Sequence, residues 1–310
     1  MDLTGRTAVG VSVAVAGGVA LAVQGRVNGR LGELLHSGVR AALVSFGVGL
    51  VVMVAVVAAT PRARAGLRRL RGGGLRWWHY AGGASGAFLV SGQGFTVPVI
   101  GVSVFTVAVV AGQVGSSLVV DRAGIGPGGP VPVTAWRAAG AVVAIAAVLL
   151  AVSDELSTPG RLWPALLPLV AGAALAWQLA VNGRVREAAD DVLVPTLINF
   201  GVGAAVLIVA STVDILVRGG PGPPPTEPWL YAGGLLGIGA VVSLVAAVRL
   251  VSVLVVGLAS VAGQLTGALL LDALAPAPGE GLSVHTVAGA ALTLVAVVVA
   301  SAPVRRRLRG

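Results

Sequence analysis

Val27-Asn28-Gly29-Arg30, with Gln24 three residues before it, occurs twice in this chain. The motif returns as Val181-Asn182-Gly183-Arg184 behind Gln178, and Phe46-Gly47-Val48-Gly49 returns as Phe200-Gly201-Val202-Gly203, in each case 154 residues later. Further blocks return at a distance of 151: Trp78, Tyr80-Ala81-Gly82-Gly83 and Gly86 as Trp229, Tyr231-Ala232-Gly233-Gly234 and Gly237, then Ala111-Gly112-Gln113 and Asp121 as Ala262-Gly263-Gln264 and Asp272. Blocks that return in the same order indicate an internal duplication of half the chain.

The composition is that of a membrane protein. Hydrophobic residues make up 56% of the 310 positions and charged residues 11%, and the mean hydropathy is +0.95. Apolar runs of about 20 residues, the length that crosses a hydrocarbon core, recur along the chain. There is no cysteine, and His36, His79 and His285 have no ligand spacing among them. We therefore expect no metal site and no cofactor.

Hydropathy predicts an all-α polytopic membrane protein with ten transmembrane helices. The predicted spans are 8–27, 38–59, 77–97, 101–120, 134–152, 162–182, 193–213, 229–248, 251–271 and 284–302. These spans divide into two five-helix repeats, residues 1–153 and 154–310. An odd number of helices per copy makes the second copy insert upside down, as an inverted-topology repeat.

Arginines predict the orientation of the chain. All 21 basic residues are arginine, and the predicted spans place about three quarters of them on one side, which puts both termini in the cytoplasm. We interpret the cluster at 62–76 and the tail at 305–309 as topology anchors that contact anionic lipid, and not as a nucleic-acid site. Exclusive use of arginine with abundant Ala, Gly and Val is typical of a high-GC bacterial genome. The expected location is therefore the bacterial inner membrane.

Polar side chains inside the predicted spans are the candidate substrate residues, because an amide without a partner is costly in lipid. They are Gln113 and Gln264 near the middle of the fourth and ninth spans, Gln24, Asn28, Gln178 and Asn182 in the duplicated motif, and the unmatched Asn199 and Gln93. Each has two interpretations, a polar lining of a substrate cavity or hydrogen-bond contacts between helices. The Asn-Gly pairs at 28–29 and 182–183 also fit a helix C-cap and turn.

Two more features are shared by the repeats. Gly82 and Gly86, like Gly233 and Gly237, have the spacing of close helix packing. We interpret them as structural residues that let the third and eighth helices pack closely and rock. Asp121 and Asp272 end the fourth and ninth helices, where a carboxylate opposes the helix dipole and favours a partner such as Arg122 for Asp121. These two residues are candidates for a gate or an ion pair.

These motifs resemble the YdcZ-type family of the drug/metabolite transporter superfamily, with two five-helix halves fused in tandem. The carrying motifs are Gln-x-x-Val-Asn-Gly-Arg, Trp-x-Tyr-x-Gly-Gly-x-x-Gly and Ala-Gly-Gln followed by an aspartate. The resemblance implies an EamA-like bundle with a central cavity that opens alternately to each side. It implies an exporter of a small metabolite, as a monomer or homodimer in contact with membrane lipid.

Two other functions remain open at the level of sequence. One is a lipid or lipid-carrier flippase, and the other is a membrane scaffold without transport. The chain has no paired carboxylates and no nucleophile with a base, which argues against an enzyme. The stretch 11–23 holds Ser12 as its one polar side chain, whereas related small multidrug exporters carry a glutamate in this helix. Proton coupling through such a glutamate is therefore not expected.

Overall fold

The computed structural model describes residues 3–127, 129–130, 132–151, 163–220, 223–248, 250, 253–275 and 283–300. Within these ranges the chain is helical: α1 Leu3–Leu34, α2 Gly38–Ala59, α3 Pro61–Leu70, α4 Gly82–Arg122, α5 Ala135–Ala151, α6 Trp163–Ala189, α7 Leu193–Arg218, α8 Gly233–Val248, α9 Val253–Leu274 and α10 Val284–Ala300. Short 3-10 turns at Trp77–Tyr80 and Pro228–Tyr231 precede α4 and α8. The expected join of the repeats at 153–162 and the tail arginines lie outside the described residues.

Five stretches of the described chain are long and apolar enough to cross a membrane. They are Thr7–Leu34, Gly38–Ala59, Trp77–Arg122, Pro164–Ala189 and Leu193–Arg218, and shorter apolar helices lie at Ala135–Ala151, Gly233–Leu244, Ala259–Leu274 and Val284–Val299. The core between them is built from small side chains, chiefly valine and alanine. An all-helical membrane protein follows from these lengths.

Helix α4 is a helical hairpin. It contains 41 residues, but Gly101 has φ 74° and ψ 167°, a conformation that glycine adopts without the steric cost of a side chain. The first arm, 82–100 (α4a), runs antiparallel to α6, because Gly92 lies beside Leu167 and Gly82 beside Asn182. The second arm, 102–122 (α4b), runs parallel to α6. The predicted break between residues 97 and 101 is confirmed.

The second arm of this hairpin is placed by contacts along the same helix. Gly112 lies against the backbone of Leu169, and Ser116 Oγ donates to Ala173 O at 3.0 Å. Further along, the Arg184 guanidinium donates to the carbonyl of Gly124 at 3.2 Å. Residue numbers therefore rise together along α4b and α6, and the chain reverses between the two arms.

Helices α8 and α9 pack on α1 in the same manner. Gly237 of α8 faces Gln24 and Ser243 faces Gly17, an antiparallel arrangement. Gly263 of α9 lies against Val15, and further along α9 and α1 rise in parallel. Each pair of arms thus packs on the first helix of the other repeat.

The bundle has two chemically different ends. The α3 end contains α3, the start of α4 and the α6–α7 connection, and the Gly101 end contains Gly101, Asp272 and the α1–α2 connection. At the α3 end, Gly66 lies against the carbonyl of Ala189, and Arg69 pairs with Asp190 at 3.0 Å. The sequence did not predict α3, since its arginine-rich run was interpreted as a loop anchor.

Two helices extend past their predicted ends through the duplicated Asn-Gly motif. Helix α1 extends to Leu34 and α6 extends to Ala189, whereas the sequence predicted their ends at 27 and 182. The Asn28-Gly29 and Asn182-Gly183 pairs therefore lie within helices, and their interpretation as C-caps and turns is wrong. Because both helices continue through the Asn-Gly pairs, the side chains of Asn28 and Asn182 face neighbouring helices.

Candidate functional site

Three amide side chains meet at the Gly101 end and form what we call the Gln24 cluster: Gln24, Asn28 and Gln93. Their exposures are 8%, 0% and 5%. Gln24 Nε2 donates to the carbonyl of Gly233 at 3.0 Å, and Asn28 Nδ2 donates to Gln93 Oε1 at 2.7 Å. Ser45, 2% exposed, adjoins the cluster. The amide nitrogens of both α1 side chains therefore have protein acceptors, whereas Asn28 Oδ1 and Ser45 Oγ are buried without a hydrogen-bond partner among the described residues.

Three amides also meet at the α3 end, in the Gln178 cluster: Gln178, Asn182 and Asn199. All three are half-buried. The side-chain oxygens of Gln178 and Asn199 are inaccessible to solvent and accept no hydrogen bond from the described residues. A buried carbonyl oxygen without a donor costs free energy. This cluster therefore has unused capacity to accept hydrogen bonds.

The repeated glycines lie directly against the amide side chains of both clusters. A Cβ on Gly82 would lie 3.0 Å from Asn182 Oδ1, and one on Gly86 would lie 3.3 Å from Gln178 Nε2. At the Gly101 end a Cβ on Gly237 would lie 2.6 Å from Gln24 Nε2, and one on Gly233 would overlap the Asn28 side chain. The glycines of α4a and α8 therefore let backbone approach the amides of the other repeat, which is a more specific role than close packing.

Two departures from the repeat account for the difference between the clusters. Gln93, the partner of Asn28, corresponds to Leu244 in the second repeat, which leaves Asn182 without an equivalent amide partner. Ser45 corresponds to Asn199, which adds an amide to the Gln178 cluster. The first departure gives the Asn28 Nδ2 group an acceptor at the Gly101 end, and the second adds an amide at the α3 end whose buried Oδ1 has no donor among the described residues.

The remaining predicted amides, Gln113 and Gln264, lie away from both clusters. Gln264 Nε2 donates to Ser260 Oγ at 3.4 Å on its own helix. Gln113 is half-buried on α4b, beside the Gly112 contact with α6. No hydrogen bond joins the two side chains within the described part of the chain. Their role in a shared midplane cavity stays a prediction.

Asp272 holds the reversal of α4. Its carboxylate, in a residue 8% exposed, accepts hydrogen bonds from the backbone N–H groups of Val102 at 3.0 Å and Ser103 at 2.6 Å. These are the first amides of α4b, which a helix cannot satisfy internally. A negative charge there is also favoured by the helix dipole. The aspartate ends one helix but caps another.

Asp121 has a different partner. It forms an ion pair with Arg137 at the start of α5, and Arg122, the partner suggested by the sequence, is exposed. Neighbouring residues on a helix point in directions about 100° apart, which separates Arg122 from its neighbour. An ion pair therefore exists at Asp121, but with another residue than expected.

The sequence did not reveal an ion pair between α2 and α7. Arg40 Nε lies 2.8 Å from Asp214 Oδ2, with side-chain exposures of 11% and 10%, and Arg40 Nη2 donates to Gly219 O at 2.7 Å. Arg40 corresponds to Val194 in the second repeat, and Asp214 corresponds to Thr60 in the first. Both charged residues lack a charged counterpart in the other repeat, and this is the signal in the sequence that could have identified the ion pair. The pair ties the two helices together at the Gly101 end.

Among the described residues, no group of three or more His, Asp or Glu side chains could hold a metal ion. The polar features of the chain are amides, hydroxyls and the ion pairs above. Such an arrangement can bind and release a solute by hydrogen bonds.

Comparisons with known proteins agree with this architecture. The family model described as "Putative inner membrane exporter, YdcZ" matches residues 9–150 and again 163–299. The chain therefore belongs to this family of inner-membrane drug/metabolite transporters. A solved structure described as "Crystal structure of protein" shares 18% sequence identity with a TM-score of 0.55, over 96% of each chain, and shows likeness of fold. No curated protein matches the sequence.

Proposed function

We propose that this protein is a secondary transporter that exports a small metabolite by alternating access. Its ten spans form two inverted repeats, with both termini in the cytoplasm and the α3 end at the cytoplasmic face. The two amide clusters are equivalent sites at opposite ends of the path. A solute occupies the cluster that is open, and the halves then rock to open the other.

The unequal burial of the two clusters is the observation that carries this proposal. At the Gly101 end Asn28 is fully buried and its Nδ2 group donates to Gln93, whereas Asn182 at the α3 end is half-buried. Buried side-chain oxygens without a donor among the described residues occur at both ends. If both ends were in the same state, we would expect the equivalent asparagines of the two repeats to be equally exposed. This difference fits a transporter that is open at one end and closed at the other.

The chemistry of the open cluster favours an uncharged or zwitterionic solute. Its three side chains are neutral amides, and its orphaned atoms are oxygens that accept hydrogen bonds. A solute with N–H or O–H donors satisfies these oxygens. An isolated anion finds no cationic side chain among the three.

The chain contains no cysteine, so single-cysteine variants need no background mutations. Ser45→Cys and Asn199→Cys place a thiol at equivalent positions of the two repeats, one at each end. A hydrophilic maleimide applied to both faces of purified protein should label Asn199→Cys at least tenfold faster than Ser45→Cys. Equal labelling rates would overturn the proposed difference in access.

Transport itself requires a ligand. A thermal-shift screen with neutral, zwitterionic and cationic metabolites identifies candidates, because a ligand that binds the native state raises its stability by mass action. A confirmed ligand should be transported into proteoliposomes and should protect Asn199→Cys from the maleimide. A ligand that binds and protects without crossing the vesicle membrane would favour a scaffold or receptor.

A further inference from the structure

An apolar groove opens on the side of the bundle at the α3 end. It has a volume of about 310 Å³ and lies between α2, α7 and α8, with Met53, Thr196, Ile238, Val241 and Val242 among its lining residues. The hydroxyl of Thr196 donates to the carbonyl of Val192 at 3.1 Å. The one polar side chain of this set is therefore satisfied within its own helix, and a polar solute finds little to bind there.

The groove opens toward the hydrocarbon side of the helices. Val241 and Val242 are 39% and 49% exposed and lie on α8, one of the apolar helices. In a membrane this surface faces lipid chains and not water. An acyl chain that fills the groove gains dispersion contacts that an empty groove lacks.

A cationic helix is seated beside this groove. Ala63 and Leu67 of α3 pack against Met53 and Ile238, which also line the groove. At the next positions, about 100° around α3, Arg64 and Arg68 are exposed one turn apart. Neither has an acidic partner among the described residues, whereas Arg69 pairs with Asp190. Apolar surface and unpaired positive charge therefore adjoin one another.

Among the described residues, the equivalent positions at the opposite end have neither feature. The positions equivalent to Met53, Thr196, Ile238 and Val241 are Leu207, Ala42, Ala87 and Val90, which form a buried cluster with Phe46. The stretch after α7, equivalent to α3, begins with Gly219 and Gly220 and is rich in proline. The groove and its basic helix therefore belong to one end and are not a general property of the fold.

We propose that this end binds one anionic phospholipid from the leaflet beside α3. One acyl chain lies in the groove along Met53, Ile238 and Val242, and the phosphate headgroup is held by Arg64 and Arg68. Arginine side chains near the interface attract anionic headgroups, and the groove supplies the apolar contact that general surface attraction lacks. The lipid is a resident of the lateral wall and is separate from the solute in the Gln178 cluster.

The test uses purified full-length protein with phosphatidylglycerol or phosphatidylcholine, and native mass spectrometry with thermal unfolding as readouts. Phosphatidylglycerol should remain bound as a one-to-one adduct and raise the Tm, and phosphatidylcholine should do neither at equal concentration. Arg64→Gln/Arg68→Gln should weaken the phosphatidylglycerol adduct about thirtyfold, the size expected for two arginines near an anionic headgroup. Arg122→Gln/Arg186→Gln, which removes two exposed arginines from other helices, is the matched control.

A second pair of variants tests the groove. Val242→Trp fills it and should abolish the adduct, whereas Val209→Trp, at an exposed position of α7 outside the groove lining, should leave the adduct intact. Equal retention of the two lipids, or an adduct that survives both Val242→Trp and Arg64→Gln/Arg68→Gln, would overturn the proposal. Stabilisation by glycerol phosphate equal to that by phosphatidylglycerol would overturn the role of the groove. Solute transport and cysteine labelling are measured separately, so either proposal can fail alone.

Discussion

The two amide clusters are made from corresponding stretches of a duplicated sequence, but they differ in burial. At the Gly101 end, Gln93 accepts a hydrogen bond from Asn28, and the Arg40–Asp214 pair joins α2 to α7. At the α3 end a leucine and a valine stand in place of Gln93 and Arg40, and the cluster is half-exposed. The difference teaches that duplication supplies two equivalent clusters, while a few unmatched residues accompany their unequal burial.

The largest expected effect comes from Asp272 near the end of α9, and its counterpart Asp121 at the end of α4b should have a much smaller one. Asp272→Ala removes two charge-assisted hydrogen bonds and leaves two buried N–H groups, a loss of roughly 3 kcal/mol or more. Asp121→Ala breaks an ion pair that is 39% exposed on the aspartate side and should cost about 1 kcal/mol or less. Thermal unfolding in detergent measures both. Equal destabilisation would refute a special role for the cap at Gly101.

The Arg40–Asp214 pair should maintain the closed Gly101 end. Asp214→Asn leaves the largely buried Arg40 without its carboxylate partner. Removal of one partner of a buried ion pair lowers the stability, and we expect a loss of at most about 3 kcal/mol here. Part of that loss should appear as opening, with faster maleimide labelling of Ser45→Cys. Thr60→Ala, at the equivalent position of the first repeat, is the control. If Asp214→Asn leaves both the Tm and the labelling rate of Ser45→Cys unchanged, the ion pair has no part in closing the Gly101 end.

Glycine-to-alanine substitutions compare how tightly the glycines pack against the amides of the two clusters. Gly237→Ala brings a methyl group to 2.6 Å from Gln24 Nε2 in a tightly buried setting, and overpacking costs about 1–3 kcal/mol. Gly86→Ala meets Gln178 at 3.3 Å, where a half-buried side chain can shift. We expect Gly237→Ala to lower the Tm and Gly86→Ala to weaken solute binding at nearly unchanged Tm. A larger Tm loss for Gly86→Ala would reverse the assignment of open and closed ends.

The smallest effect on stability is expected at Gln113 and Gln264. Each contributes at most a hydrogen bond between or within helices, worth about 0.6 kcal/mol on average. If they line the solute path, Gln113→Ala and Gln264→Ala should reduce transport in proteoliposomes while the Tm stays close to that of the unmodified protein. Parallel losses of transport and Tm would assign both residues to helix contacts alone.

Much of the fold could be predicted from the sequence, because hydropathy and duplication act over long stretches. The predicted spans 77–97 and 101–120 placed a break between them, and the structure has its reversal at Gly101. The boundaries of α1 and α6 were wrong because Asn-Gly has a strong local preference for turns, which packing against the other repeat overrides. Helix α3 was missed because its apolar side is only a few residues among arginines.

The candidate site was predictable as a set of residues but not as a geometry. Gln24 and Gln178 stood out because polar residues in apolar spans are rare. Their assembly with Gly237 and Gly86 of the other repeat depends on contacts more than 50 residues apart, which no local pattern encodes. The Arg40–Asp214 pair was missed for the same reason, since its members lie in different halves and at the margins of their spans.

Asp272 also has a consequence for the synthesis of the chain. The carboxylate that caps α4b is made 169 residues after Ser103, the nearer of its two amide partners by bond length. At about 5–20 residues per second, the ribosome delivers it on the order of ten to thirty seconds after the hairpin has emerged. During that interval the first half has its helices but not the group that fixes its central reversal. Maturation of the first half therefore depends on completion of the second, and a stalled or truncated chain should be a substrate for membrane proteases.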